Sequence, residues 1–284
     1  MNQTATLLMS CPDRKGLVAR VSDFVFRNGG NFIHFDQHTD LEVGVFLARI
    51  EWELADFQIP RDSIAARFQA IADECQMHFG LFFSDQVHRV AILASKMPHC
   101  LQDLLLRHQA GEFEAEISLI VSNHSDVGDI AGAFGIPFLH VPITRQNKAA
   151  QEALEIRELR ERGVELLILA RYMQILSPEF VEQFPNQIIN IHHSFLPAFI
   201  GAQPYHQAYA RGVKLIGATS HYVTSDLDNG PIIDQEIIRV SHRDSLGDMI
   251  RKGRDLEKLV LARAVRLHLA HRILTYNNRT VVFD

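Results

Sequence analysis

A chain of 284 residues, 47% hydrophobic and 22% charged, is long enough for two domains that each bury a core, and it carries no low-complexity tract that would read as disorder. A net charge of −6, from 28 Lys and Arg against 34 Asp and Glu, argues against the basic surface that a nucleic-acid partner requires. No stretch approaches the roughly 20 apolar residues of a bilayer span, the start MNQTATLLMSCPDRKG lacks a signal-peptide pattern, and three scattered cysteines without a CxxC pair argue against a disulfide framework or a structural zinc. A cytoplasmic protein acting on a small molecule is the expectation, with no nucleic acid and no membrane as partner.

Thr4 to Cys11 reads as a strand, and the spacing of Leu17, Val18, Val21, Phe24 and Val25 then predicts a helix that "NGG" at 28–30 stops. Two strand-like runs follow, 31–39 and 43–52, then a helix with Ile64, Phe68, Ile71 and Cys75 on one face, then the strand "MHFGLFF". The order βαββαβ predicts a ferredoxin-like domain over residues 1–85, an antiparallel sheet with helices on one face. Past "SDQVH" the rhythm changes. "RVAILA", "EISLIVS", "PFLHV", "ELLILA" and "QIINIH" are near-continuous apolar strands separated by helices, the pattern of a mostly parallel open sheet covered on both faces. Two longer strands, 214–223 and 231–240, and a closing helix over 246–274 complete a Rossmann-like second domain assigned to 86–284. The fold class is α/β.

Ligands of open parallel sheets bind beyond the carboxyl ends of the strands. "QIINIH" ends there, and alternation places Asn190 and His192 on one side of it, with Ile189 and Ile191 on the other. A second strand runs into "SHYVTSDLDNGPII", whose loop packs Asp226, Asp228 and Asn229 against Gly230. An amide N–H can stabilise an oxyanion, an imidazole can move a proton near neutral pH, and a carboxylate can orient a ring or a water. Together they suit attack on a carbonyl, although Asn-X-His after a strand also fits a turn or a helix cap. His193, His206 and His221 raise a metal site as well, but no HExxH or comparable set accompanies them, so no metal is expected.

"NIHHSFLPAFIGAQPYHQA" followed by "GATSHYVTSDLDNGPIIDQ" resembles the formyltransferase family that uses 10-formyltetrahydrofolate, and "LARYMQILSPEFV" at 169–181 is similar to that family's folate-site segment. The resemblance covers residues 87–284. It implies that Asn190, His192 and Asp228 are catalytic, with His221 secondary and Asp226 a rival carboxylate. It also implies that the pterin lies against Met173, Gln174, Ile175 and Leu176 and against Thr224, Ser225, Asp226 and Leu227. Members that pass the formyl group to a phosphorylated amine carry a glycine-rich loop after the first strand, whereas "AILASKMPHCLQDLL" has no glycine and leaves only Lys96 to meet an anion. Water is then the expected nucleophile, giving formate and tetrahydrofolate for one-carbon balance and purine biosynthesis, with no cofactor beyond the folate substrate. The alternatives are transfer to an amine acceptor and a non-catalytic folate- or amino-acid-binding regulator. At the front, "CPDRKGLVARVSDFVFRNGGNF" resembles an ACT domain, which implies a small amino-acid effector and a homo-oligomer. Asp13 caps the first helix or, with Gly16, forms the effector loop.

Overall fold

The computed structural model describes residues 3–197 and 204–283, so positions 198–203 of the long motif quoted above lie outside the described residues. The chain divides into two compact units, the first running to Gln86 and including Ala270–Tyr276 and the residues from Thr280, the second spanning Val87–Leu269 with Asn277–Arg279.

The first unit contains β1 (Thr4–Pro12), α1 (Leu17–Arg27), β2 (Phe32–Asp40), β3 (Val45–Glu53), α2 (Arg61–Cys75) and β4 (His78–Phe83). Its sheet has the order β2-β3-β1-β4, antiparallel throughout, as a split βαβ pair demands. Alternation sends Leu7, Met9, Phe46, Ala48, Ile50 and Trp52 into one core with Val21, Val25, Ile64 and Phe68 of the helices. The helical face is therefore closed by the expected elements. α1 starts after Gly16, which stands at the N-cap with φ +92° and no side-chain hydrogen bond, so Asp13 does not cap it.

Residues on the opposite face of that sheet, Leu8 and Leu47, explain a departure from the expected boundary. They are packed by Leu274, Tyr276, Val281 and Phe283, so the last residues belong to the first unit and not to a second domain that runs unbroken to residue 284. The expected closing helix accordingly ends at Leu269, and a hairpin of Ile273–Tyr276 and Arg279–Val282 follows it. Within the first unit, buried Arg49 ties this tail to the sheet by donating from Nε to the His271 carbonyl at 3.0 Å, and Tyr276 Oη donates to Asp40 at 3.1 Å.

The second unit runs β5 (His88–Ala94), α3 (His99–Gln109), β6 (Ala115–Ser122), α4 (Gly128–Ala133), β7 (Phe138–His140), α5 (Lys148–Glu161), β8 (Leu166–Ala170), α6 (Pro178–Glu182), β9 (Ile188–His192), α7 (Pro204–Arg211), β10 (Leu215–Tyr222), β11 (Ile232–Arg239) and α8 (Leu246–Leu269). The seven strands take the order β11-β10-β9-β8-β5-β6-β7; β9, β8, β5, β6 and β7 are parallel, and β10 and β11 add antiparallel pairs at one edge. Every residue of β8 is buried, the composition expected of a strand covered on both faces. α6 opens on Ser177, whose hydroxyl accepts from the Phe180 N–H at 3.2 Å, followed by Pro178 in the first turn.

Candidate active site

β9 and β10 pair antiparallel with Asn190 directly opposite His221 and His192 opposite Thr219, so alternation on both strands turns Asn190, His192 and His221 toward one cavity of about 710 Å³. Asn190 Nδ2 donates to His221 Nε2 at 3.2 Å, while His221 Nδ1 donates to the Tyr222 carbonyl at 2.9 Å. That pair of bonds sets the His221 tautomer and leaves the second N–H of Asn190 for another acceptor. Burial holds the His221 ring below the usual histidine range, which keeps its Nε2 an acceptor.

Asp228 enters from the loop after β10. It has φ +54°, a left-handed conformation that aspartate tolerates better than most residues. Gly230 makes that loop possible, because a Cβ there would fall 1.8 Å from the Tyr222 carbonyl oxygen. Asp228 Oδ1 lies 3.3 Å from His192 Nδ1 and 3.9 Å from His221 Nε2. The hydrogen bond from His192 holds the Asp228 carboxyl below its usual range despite partial burial. His192 Nε2 is buried with no hydrogen-bond partner, an open position on the cavity wall. Asp226 differs. It is exposed, and the contacts it makes are through its backbone carbonyl, which accepts from Thr224 Oγ1 and the Asn229 N–H.

Met173, Gln174, Ile175, Leu176, Thr224, Ser225, Asp226 and Leu227 all line the same cavity. Met173, Ile175 and Leu227 are 57%, 61% and 60% exposed, an apolar rim of the kind that marks a ligand site. The segment that carries the first four is anchored at several points. Ser95 Oγ accepts from the Met173 N–H at 2.9 Å and donates to Asn123 at 2.6 Å, Tyr172 Oη donates to buried Glu155 at 2.9 Å, and Glu152 accepts from the Ser177 N–H at 3.0 Å. Burial pushes the Glu155 carboxyl up to about 7, so the group is poised between a neutral acid and an anion.

The other side of the cavity holds residues that sequence reasoning missed. Buried Glu257 of α8 accepts from Tyr205 Oη at 2.6 Å and from His99 Nε2 at 2.7 Å, and Arg171 Nε lies 3.5 Å from the same carboxylate. Burial opposes ionisation of Glu257, but these donors outweigh it and hold its carboxyl below the usual range. Tyr205 reaches α8 because residue 253 is glycine; a Cβ there would fall 2.1 Å from its hydroxyl. Burial and nearby Arg171 push neighbouring His193 down to about 4. Sequence reasoning also raised His206 as a metal ligand and Lys96 as an anion contact; His206 lines this side, whereas Lys96 is exposed and is not among the lining residues. His99, Cys100 and Glu257 bring potential metal-ligand atoms within 4.8 Å of one another. The donors already on Glu257, and a thiol that burial keeps protonated, make them a poor cation set.

Residues 88–265 match the formyl transferase family. The chain is 57% identical to the formyltetrahydrofolate deformylase of Synechocystis over 99% of both proteins. The crystal structure of a formyltetrahydrofolate deformylase from Pseudomonas syringae covers the whole chain at TM-score 0.98 and 45% identity, with 95% of that structure covered in turn. Glycinamide ribonucleotide transformylase 1 of Symbiobacterium toebii matches 72% of this chain and 98% of its own, at TM-score 0.67 and 31% identity. The protein belongs to the formyl transferase family. Within it, the end-to-end match places the chain among the relatives named formyltetrahydrofolate deformylase.

Proposed function

We infer that the protein hydrolyses 10-formyltetrahydrofolate to formate and tetrahydrofolate, returning the carrier to the one-carbon pool and releasing formate for purine biosynthesis. The observation that carries this reading is the convergence of Asn190, His192 and Asp228 on one cavity, with a ring nitrogen left open, in a chain that matches named deformylases from end to end.

With the pterin against the apolar rim, the formyl oxygen sits between the free N–H of Asn190 and the Nε2–H of a protonated His192, whose Nδ1–H faces Asp228. The free oxygen of Asp228 binds water. As the water oxygen attacks the formyl carbon, one of its protons passes to Asp228 and the developing oxyanion is held by the two donors. That proton then goes to N10 as the C–N bond breaks, and formic acid passes its own proton to the regenerated Asp228 carboxylate, which returns it to solvent as formate leaves. His221 acts as a positioning residue through Asn190.

Among the described residues no helix is long and apolar enough to cross a membrane. Three free, buried cysteines support a reducing cytoplasm as the setting. In the first unit we read Asp13 and Gly16 as an effector loop for a small amino acid, supported by open space where a Gly16 side chain would stand. Pairing of such units into a homo-oligomer is supported by edge strand β2 and by exposed Phe26 and Leu41.

The test is purified protein with 10-formyltetrahydrofolate and no amine. Equal amounts of formate and tetrahydrofolate are expected. Tetrahydrofolate appearing only when an amine is added would establish a transferase, and saturable folate binding without either product would establish a regulator.

A further inference from the structure

The two sides of the cavity differ in charge. Asp228 shares its side with the His192 and His221 imidazoles, whereas two guanidinium groups, Arg171 and Arg254, line the other side with His99, His206 and a single carboxylate, Glu257. Glu257 is already committed, with Tyr205 on Oε1 and with His99 and Arg171 on Oε2, and has little capacity left for an incoming ammonium. Donors are what remain. Arg171 lines the cavity with its Nε beside Glu257, and Arg254, one turn before Glu257 on α8, is exposed and forms no ion pair among the described residues.

Formate is released between Asp228 and His192 and shares the cavity with the Arg171 and Arg254 guanidinium groups. We propose that Arg171 and Arg254 form a subsite for a small carboxylate, the formate product, which receives it as it leaves the catalytic residues and before the folate departs. Guanidinium groups suit the task because they present paired N–H donors to both carboxylate oxygens. The proposal rests on the hydrolytic reading above and extends it to the order in which charge leaves the site.

Sodium formate titrated calorimetrically into the full-length protein tests it, with tetrahydrofolate titrated in parallel, for the parent protein and for Arg254→Ala and Arg254→Lys. Loss of one charge-assisted contact is expected to weaken formate binding about tenfold in Arg254→Ala, with most of it regained in Arg254→Lys. Tetrahydrofolate affinity is expected to change far less. Formate binding that is undetectable in the parent, or equal in parent and Arg254→Ala, would overturn the proposal, and so would a parallel loss of formate and tetrahydrofolate. Because formate is offered directly, this result does not depend on turnover. A failure of the hydrolytic reading would show instead in the acceptor-free assay.

Discussion

Two carboxylates face the same cavity, both held ionised, with opposite surroundings. Asp228 meets two histidines through a single oxygen, at 3.3 and 3.9 Å, and its other oxygen has no described partner. Glu257 is almost wholly buried and has both oxygens occupied by Tyr205, His99 and Arg171. The difference separates chemistry from scaffolding. A carboxylate with a spare lone pair beside an imidazole whose far nitrogen is open can bind a water and move its proton. A saturated one fixes the positions of its donors and is expensive to disturb.

The contrast sets the expected sizes of effect. Asp228→Asn keeps the shape and removes the base, so turnover is expected to fall on the order of 10³-fold with tetrahydrofolate binding retained, measured as formate release and ligand affinity in parallel. Asn190→Ala removes one oxyanion donor and is expected to cost on the order of 10²-fold in kcat with little change in KM. Glu257→Ala strands Arg171 and His99 around an empty position, and a loss of about 3 kcal/mol in stability is expected by denaturant unfolding. Equal loss of turnover in Asp228→Asn and Glu257→Gln, both well folded, would erase the distinction.

Glu155 gives a third case, a buried acid that burial holds protonated well above the usual carboxylate range. Its folded-state pKa, pushed up from 4.5 to about 7, means that the native state holds a proton the unfolded chain has already lost. Stability is therefore greatest below pH 4.5 on this account, declines as pH rises through 7, and is flat beyond, a loss on the order of 3 kcal/mol. Glu155→Gln is expected to flatten that decline in thermal melts between pH 5 and pH 8. The smallest expected effect is Ser95→Ala, which frees the Met173 N–H at the folate rim. It should raise KM a few-fold, about 1 kcal/mol, and leave kcat in place.

How far these roles could be read from the chain differs in the same way. Asn190 and His192 were legible because a two-residue spacing on a strand fixes a common face, and Asp228 because its loop follows a strand and precedes a glycine. Both signals are local. Glu257, Tyr205, His99 and Arg171 come from α8, α7, α3 and the turn after β8, and no periodicity announces that four such elements meet. Glu152 and Glu155 sit in a helix whose sequence, KAAQEALEIRELRE, reads as a solvated surface, yet tertiary packing buries both. The front unit's helices and strands followed their periodicity closely. Its tail did not: Ile273 and Leu274 continue the apolar rhythm of α8 and hide a hairpin whose sign was the Asn277-Asn278 pair, both with positive φ in an alternating stretch.

The most direct test of the account is a head-to-head single-turnover measurement of formate release by Asp228→Asn and Glu257→Gln, with tetrahydrofolate affinity and folding checked in both. The account expects release to collapse in Asp228→Asn while binding persists, and Glu257→Gln to release formate at a rate within about tenfold of the parent at reduced stability. Persistent release from Asp228→Asn, with collapse in Glu257→Gln, would move the base to the other side of the cavity and contradict it.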